Sequence, residues 1–138
     1  MFLGGFFARR HSKRDQLRAV QAFVDAINRL DYEAVADLLH PDLLVSDARG
    51  REISGVDEYI ESDRDFRTRA GRPQVTIEQA TRQGDDWLIS GTVHSDHAGV
   101  GGPGLWRVSF SGERISRIEV HRAEGAMTTT RFHALQHP

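Results

Sequence analysis

Residues 71–94 read GRPQVTIEQATRQGDDWLISGTVH, and the spacing of apolar residues changes inside this stretch. Beyond Gly71-Arg72-Pro73, Val75 and Ile77 alternate with Thr76 and Glu78. Gly84-Asp85-Asp86 then turns the chain into a second run, where Trp87, Ile89 and Val93 share one face and Leu88, Ser90, Thr92 and His94 the other. A period of two marks strands with one buried face, and a Gly/Asp turn between two of them marks a hairpin. The chain before this point follows a period near 3.6. Leu17, Val20, Phe23, Val24, Ile27 and Leu30 line one side of a helix over about 15–29. Asp31 suits an N-cap for a short second helix carrying Tyr32, Val35, Leu38 and Leu39, which Pro41 stops. In LLVSDARG, residues 43–50, Leu43 to Ser46 read as a strand and Asp-Ala-Arg-Gly as its turn; Gly55-Val56-Asp57 opens a third helix with Val56, Tyr59, Ile60 and Phe66 on its apolar side.

After the hairpin, DHAGVGGPG (96–104) is a flexible connection able to act as a lid. Trp106, Val108 and Phe110 alternate with Arg107 and Ser109 in a third strand, Ser111-Gly112-Glu113 is a tight turn, and Ile115 to Arg122 is the last strand. Helices followed by an antiparallel meander make an α+β domain, with three N-terminal helices packed on one face of a mainly antiparallel sheet. The expected division is an arm at 1–13, a domain at 14–122 and a tail at 123–138 whose pattern assigns no element.

At 138 residues the chain can bury one core without disulfides or metals, and it has no cysteine, which removes thiol nucleophiles and thiolate metal sites. A formal net charge of −2, with 28% charged residues, leaves no broad basic footprint, so no nucleic-acid partner is expected. The opening MFLGGFFARRHSKRD puts apolar residues before charges, the reverse of a secretory leader, and no run of about 18 apolar residues occurs; the expected location is cytoplasmic, with no membrane partner.

Together LLHPDLLVSD, the GREISGVDEYI helix start and the terminal WRVSFSGERISRIEVHR hairpin resemble the nuclear-transport-factor-two-like superfamily, and within it the SnoaL-like proteins related to ketosteroid isomerase and polyketide cyclases. The resemblance covers about residues 14–122. It implies a strongly curved sheet wrapped around helices as a cone-shaped, cystatin-like α+β barrel, an apolar pocket for a small organic molecule, and a homodimer formed through the outer sheet face. The pattern supplies the same inward set: Phe23, Val45, Tyr59, Trp87, Ile89, Val93, Trp106, Val108, Phe110, Ile118 and Val120. Those side chains either line a pocket or fill it as a packed core.

In the isomerase pattern a carboxylate just after the first strand is the base that moves a proton, and Asp47 matches that place. An aspartate at the mouth of an apolar cone gains basicity by desolvation. An aspartate opening an Asp-Ala-Arg-Gly turn also bonds to its own backbone, and both readings stand. The isomerase's oxyanion donors, a tyrosine and a protonated aspartate, are replaced here by Phe23 and Trp106, which speaks against steroid isomerisation. Trp106 and Tyr59 remain as polar handles. Asp63 lies on the third helix's apolar stripe, either as a second pocket acid or as a solvated partner of Arg67 at i, i+4. His94, Asp96 and His97 have metal-ligand character, but His94 and Asp96 fall on the outer face, so no metal and no cofactor is expected. Arg117, Glu119 and His121 share that face as a polar ladder. GVGGPG lacks the lysine and following helix of a phosphate loop. Two functions result: a small-molecule site with cofactor-free proton transfer of isomerase, dehydratase or cyclase type, or a non-catalytic dimerisation or ligand-sensing module.

Overall fold

Ser12 opens the first helix by accepting the amide of Asp15 at 3.1 Å. The computed structural model describes residues 12–138, so the expected N-terminal arm lies outside the described residues up to His11. Helix α1 (Lys13–Arg29) buries Val20, Phe23, Val24, Ala26 and Ile27 and ends on Leu30 in the left-handed region. Asp31 caps α2 (Tyr32–Leu38) through the amide of Ala34. Strand β1 (Leu39–Asp47) starts earlier than its sequence pattern suggests, running through Pro41. Pro41 lies in the part of β1 where its register against β6 shifts, between Leu39 and Leu44, and a proline there costs no ladder hydrogen bond. A short β2 (Glu52–Ser54), not apparent in the pattern, pairs back on β1. Gly55 then adopts φ 92°, a conformation that favours glycine, and starts α3 (Val56–Arg69).

The remaining strands are β3 (Gln74–Gln83), β4 (Asp86–His94), β5 (Gly102–Ser111) and β6 (Arg114–Arg122), followed by α4 (Thr129–Gln136) in the tail. They form one six-stranded sheet in the order β2-β1-β6-β5-β4-β3. Only β1 and β6 pair in parallel; every other pair is antiparallel. The expected α+β class and mainly antiparallel sheet are therefore observed, with a C-terminal helix added to the three N-terminal ones. Irregular register marks the sheet's bends. Gly91 sits beside the bulge between Ile77 and Gln79, where a Cβ would stand 2.3 Å from the carbonyl oxygen of Thr76. Gly104 is its neighbour across β4 and β5. Residues without side chains at these places let adjacent strands approach and turn.

The concave face holds the main core, which includes Phe23, Val45, Tyr59, Trp87, Ile89, Val108 and Ile118. A second cluster of Phe66, Ala70, Val93 and Val100 packs under the end of α3. Val100 pins the 95–101 loop into that cluster, and the loop is tied further by the Met127 amide bonding to the Gly99 carbonyl at 2.7 Å. On the convex face Arg107 reaches Asp86 and Glu119, and Arg117 also reaches Glu119, giving the polar ladder the alternation implies. Among the described residues no helix is long and apolar enough to cross a membrane.

Candidate functional site

Between α1, α3 and the concave face lies a cavity of about 100 Å³. Its walls include Phe23, Val45, Tyr59, Asp63, Ile89, Val93, Trp106, Val108, Ile118 and Val120. Trp87 and Phe110 belong to the core but stand off the cavity wall. Trp87 has another task, donating its indole N–H to Gln16 at 3.0 Å beneath the guanidinium of Arg82. The cone is thus neither filled nor large. Small-molecule sites commonly enclose roughly 300–1,000 Å³, and an engineered void of about 150 Å³ admits benzene, so this cavity is smaller than either and as it stands has room for a short aliphatic group.

The cavity's polar wall is built on α3. Asp63 is fully buried and accepts three hydrogen bonds, from Tyr32 Oη at 2.6 Å and Arg67 Nε at 2.8 Å on Oδ2, and from Thr129 Oγ1 at 2.6 Å on Oδ1. The i, i+4 pair with Arg67 forms as the helix spacing dictates, inside the protein rather than at its surface. Burial opposes the charge of Arg67, but Asp63 and the two tyrosines outweigh it and raise its pKa. Burial first, then the Asp63 charge, pushes the Tyr32 and Tyr59 phenols well above their ordinary value, so both are neutral donors. Tyr59 also stacks on Phe23, ring centroids 6.3 Å apart.

Asp47 lies outside this cavity, in an adjoining polar cleft of about 250 Å³ with Arg49, Arg51 and the 123–126 segment. Its Oδ1 accepts the amides of Arg49 and Arg51 at 2.9 and 3.1 Å, closing the Asp-Ala-Arg-Gly turn. Its Oδ2 accepts Arg51 Nε at 2.7 Å and Thr130 Oγ1 at 2.8 Å. Desolvation alone would raise its pKa, but the bonds from Thr130, Arg51 and Arg49 prevail and lower it. The carboxylate is held in its charged form, which works against basicity.

Cavity and cleft share Val120, Arg122 and Thr128. Arg122 follows Ile118 and Val120 at the period of two, so alternation alone puts it on the concave face. The inward set drawn from the sequence stops at Val120, although the strand it belongs to runs to Arg122. Its guanidinium donates to the carbonyls of Pro103 at 2.9 Å and Val100 at 2.8 Å. Among the described residues no carboxylate is within ion-pair distance of it, and burial lowers its pKa. Gly104 makes the seat: a Cβ there would stand 2.5 Å from the Trp106 ring and 2.7 Å from Arg122 Cδ. Tyr32 and Thr129, which complete the Asp63 site, carry no comparable signal, one opening a helix and the other lying in the tail. His94 bonds Thr76 at 3.1 Å, remote from this cavity, and the His97 ring packs against Gly71.

The fold recurs in solved structures. An uncharacterised cystatin-fold protein from Novosphingobium aromaticivorans is 20% identical, with a TM-score of 0.69 over 78% of this chain and 97% of that one. A protein described as a polyketide cyclase from Sinorhizobium meliloti is 22% identical, with a TM-score of 0.68 over 75% and 93%. TerC, co-crystallised with polyporic acid, is 18% identical, with a TM-score of 0.67 over 88% and 97%. At such identities the likeness establishes the fold alone. No curated protein matches the sequence at a significant level. The family model described as a SnoaL-like domain matches residues 20–133. That match spans most of the chain, and the protein belongs to the SnoaL-like domain family.

Proposed function

We propose that this SnoaL-like protein binds a small, mostly apolar organic molecule bearing one acidic or strongly accepting group. The apolar part occupies the cavity and the acceptor meets Arg122 where the cavity joins the polar cleft. The observation that carries this reading is Arg122 itself, a partly desolvated cation at an apolar wall whose donors meet only backbone carbonyls. An anion there would gain charge-assisted, bidentate hydrogen bonds. Arg67 offers nothing similar, because Asp63 already compensates it.

Cofactor-free proton transfer of isomerase, dehydratase or cyclase type is the second chemistry to weigh. Three donors on Asp63 and four on Asp47 occupy both acids, which favours ligand sensing without turnover. A homodimer through the outer sheet face and a cytoplasmic location belong to the same reading; the exposed Leu105 beside the charge ladder supports the first.

Thermal unfolding in the presence of small aliphatic and aromatic carboxylates, each paired with its neutral amide, tests the site. Several carboxylates should raise the midpoint more than their amides, and Arg122→Gln should abolish the difference. Equal responses to acids and amides, or an unchanged difference in Arg122→Gln, would sink the assignment. Deuterium uptake at the α-carbon of a bound carboxylate, absent in Asp47→Asn or Asp63→Asn, would instead establish proton transfer.

A further inference from the structure

The last helix carries a second cluster that the cavity does not use. His133 in the last turn of α4 and His137, which caps that helix, have rings stacked with centroids 4.3 Å apart, and Glu58 of the first turn of α3 faces them. One ligand atom from each of the three lies within 4.8 Å of the others. His133 Nε2 is buried with no hydrogen-bond partner, the one such side-chain atom among the described residues. The nearest Glu58 oxygen is 3.5 Å away, too poorly placed to satisfy it. His137 Nδ1 lies 3.0 Å from the His133 carbonyl. A carbonyl only accepts, so the proton sits on Nδ1 and Nε2 keeps the lone pair, the arrangement in which a metal-binding histidine is usually held.

We infer that Glu58, His133 and His137 form a transition-metal site suited to Zn²⁺. Two imidazoles and a carboxylate are borderline ligands, right for zinc and poor for Mg²⁺ or Ca²⁺, which prefer oxygen alone. Zinc bonds of roughly 2.0–2.2 Å require the ligand atoms to draw closer together. Glu58 and His137 are both exposed and have room to move, whereas His133 is half-buried. Imidazole lone pairs lie in the ring plane, so His137 must turn out of its stack on His133 for both rings to share one ion.

The site would fasten α4 to the start of α3. The opposite end of α4 already holds Asp63 through Thr129 and Asp47 through Thr130, while Thr128 and Thr129 contribute to the cavity wall. The metal is therefore a clamp on the helix that closes the cavity, with a fourth position left for water.

Untagged protein, free of added histidines, should be titrated with ZnCl₂ by calorimetry and thermal unfolding. One ion per chain should bind, and the midpoint should rise by about 5 °C or more at a hundredfold excess over Kd. Co²⁺ should give the visible absorption of a low-coordinate nitrogen and oxygen site. Glu58→Gln and His137→Ala, at exposed positions, should each weaken zinc binding by about tenfold or more while leaving the metal-free midpoint nearly unchanged. The assignment fails if wild type gives neither heat nor a shift, if the double variant binds zinc as tightly as wild type, or if Mg²⁺ gives the same shift.

Discussion

Asp63 is an acid taken wholly out of water, and its surroundings make that tolerable. A carboxylate in that position needs both a counter-charge and donors for its oxygens. Arg67 supplies the charge, and Tyr32 and Thr129 supply the rest. Arg67 depends on it in turn, because its remaining hydrogen bond, to the Pro73 carbonyl at 3.3 Å, does not neutralise it. Asp63→Ala leaves a buried guanidinium without a partner and should cost about 3–5 kcal/mol in urea unfolding. Thr129→Val removes one hydrogen bond and should cost about 1 kcal/mol. If the two costs were equal, the ion pair would not be what holds this wall.

Among the elements, α4 and the end of β1 are joined through Asp47, which gives their contact a pH dependence. The folded state lowers the Asp47 pKa from its ordinary 3.8, so the unfolded chain takes up this proton first as the medium is acidified. The stability Asp47 contributes is complete above that ordinary value and is lost as pH falls below it towards the folded value. Asp47→Asn should lower stability at neutral pH and flatten the acid limb of a stability profile below about pH 4 relative to wild type. An identical acid limb in the variant would assign that loss to other carboxylates. The period-two runs make β4, β5 and β6 legible from sequence, and the 3.6 period does the same for α1 and α3. Element β2 is three residues long and α4 has almost no amphipathic contrast, so neither leaves a period to detect. The cavity's apolar wall was legible because alternation fixes which strand residues turn inward. Its polar wall was not, since Tyr32 and Thr129 reach Asp63 from elements whose placement only the tertiary fold determines.

At the scale of the whole molecule, the proposed homodimer would use the sheet's convex face. Its charges are largely paired within the chain, and Leu105 is 41% exposed among them. Light scattering should find a dimer for wild type and a monomer for Leu105→Glu, with little change in the unfolding of the monomer itself. A wild-type monomer at all concentrations would leave this face free. The sheet also has a consequence for how the chain assembles. Strands β3 to β6 are joined by near neighbours and can pair as soon as each turn closes, but β1 must find β6 in parallel from the far end of the domain. Closing so long a loop loses chain entropy before any contact rewards it, so capture of β1 should be the slowest of these pairings to form in a refolding experiment. Until that capture occurs, the edge of β6 is bare, and the nascent protein is most open to pairing with the wrong strand.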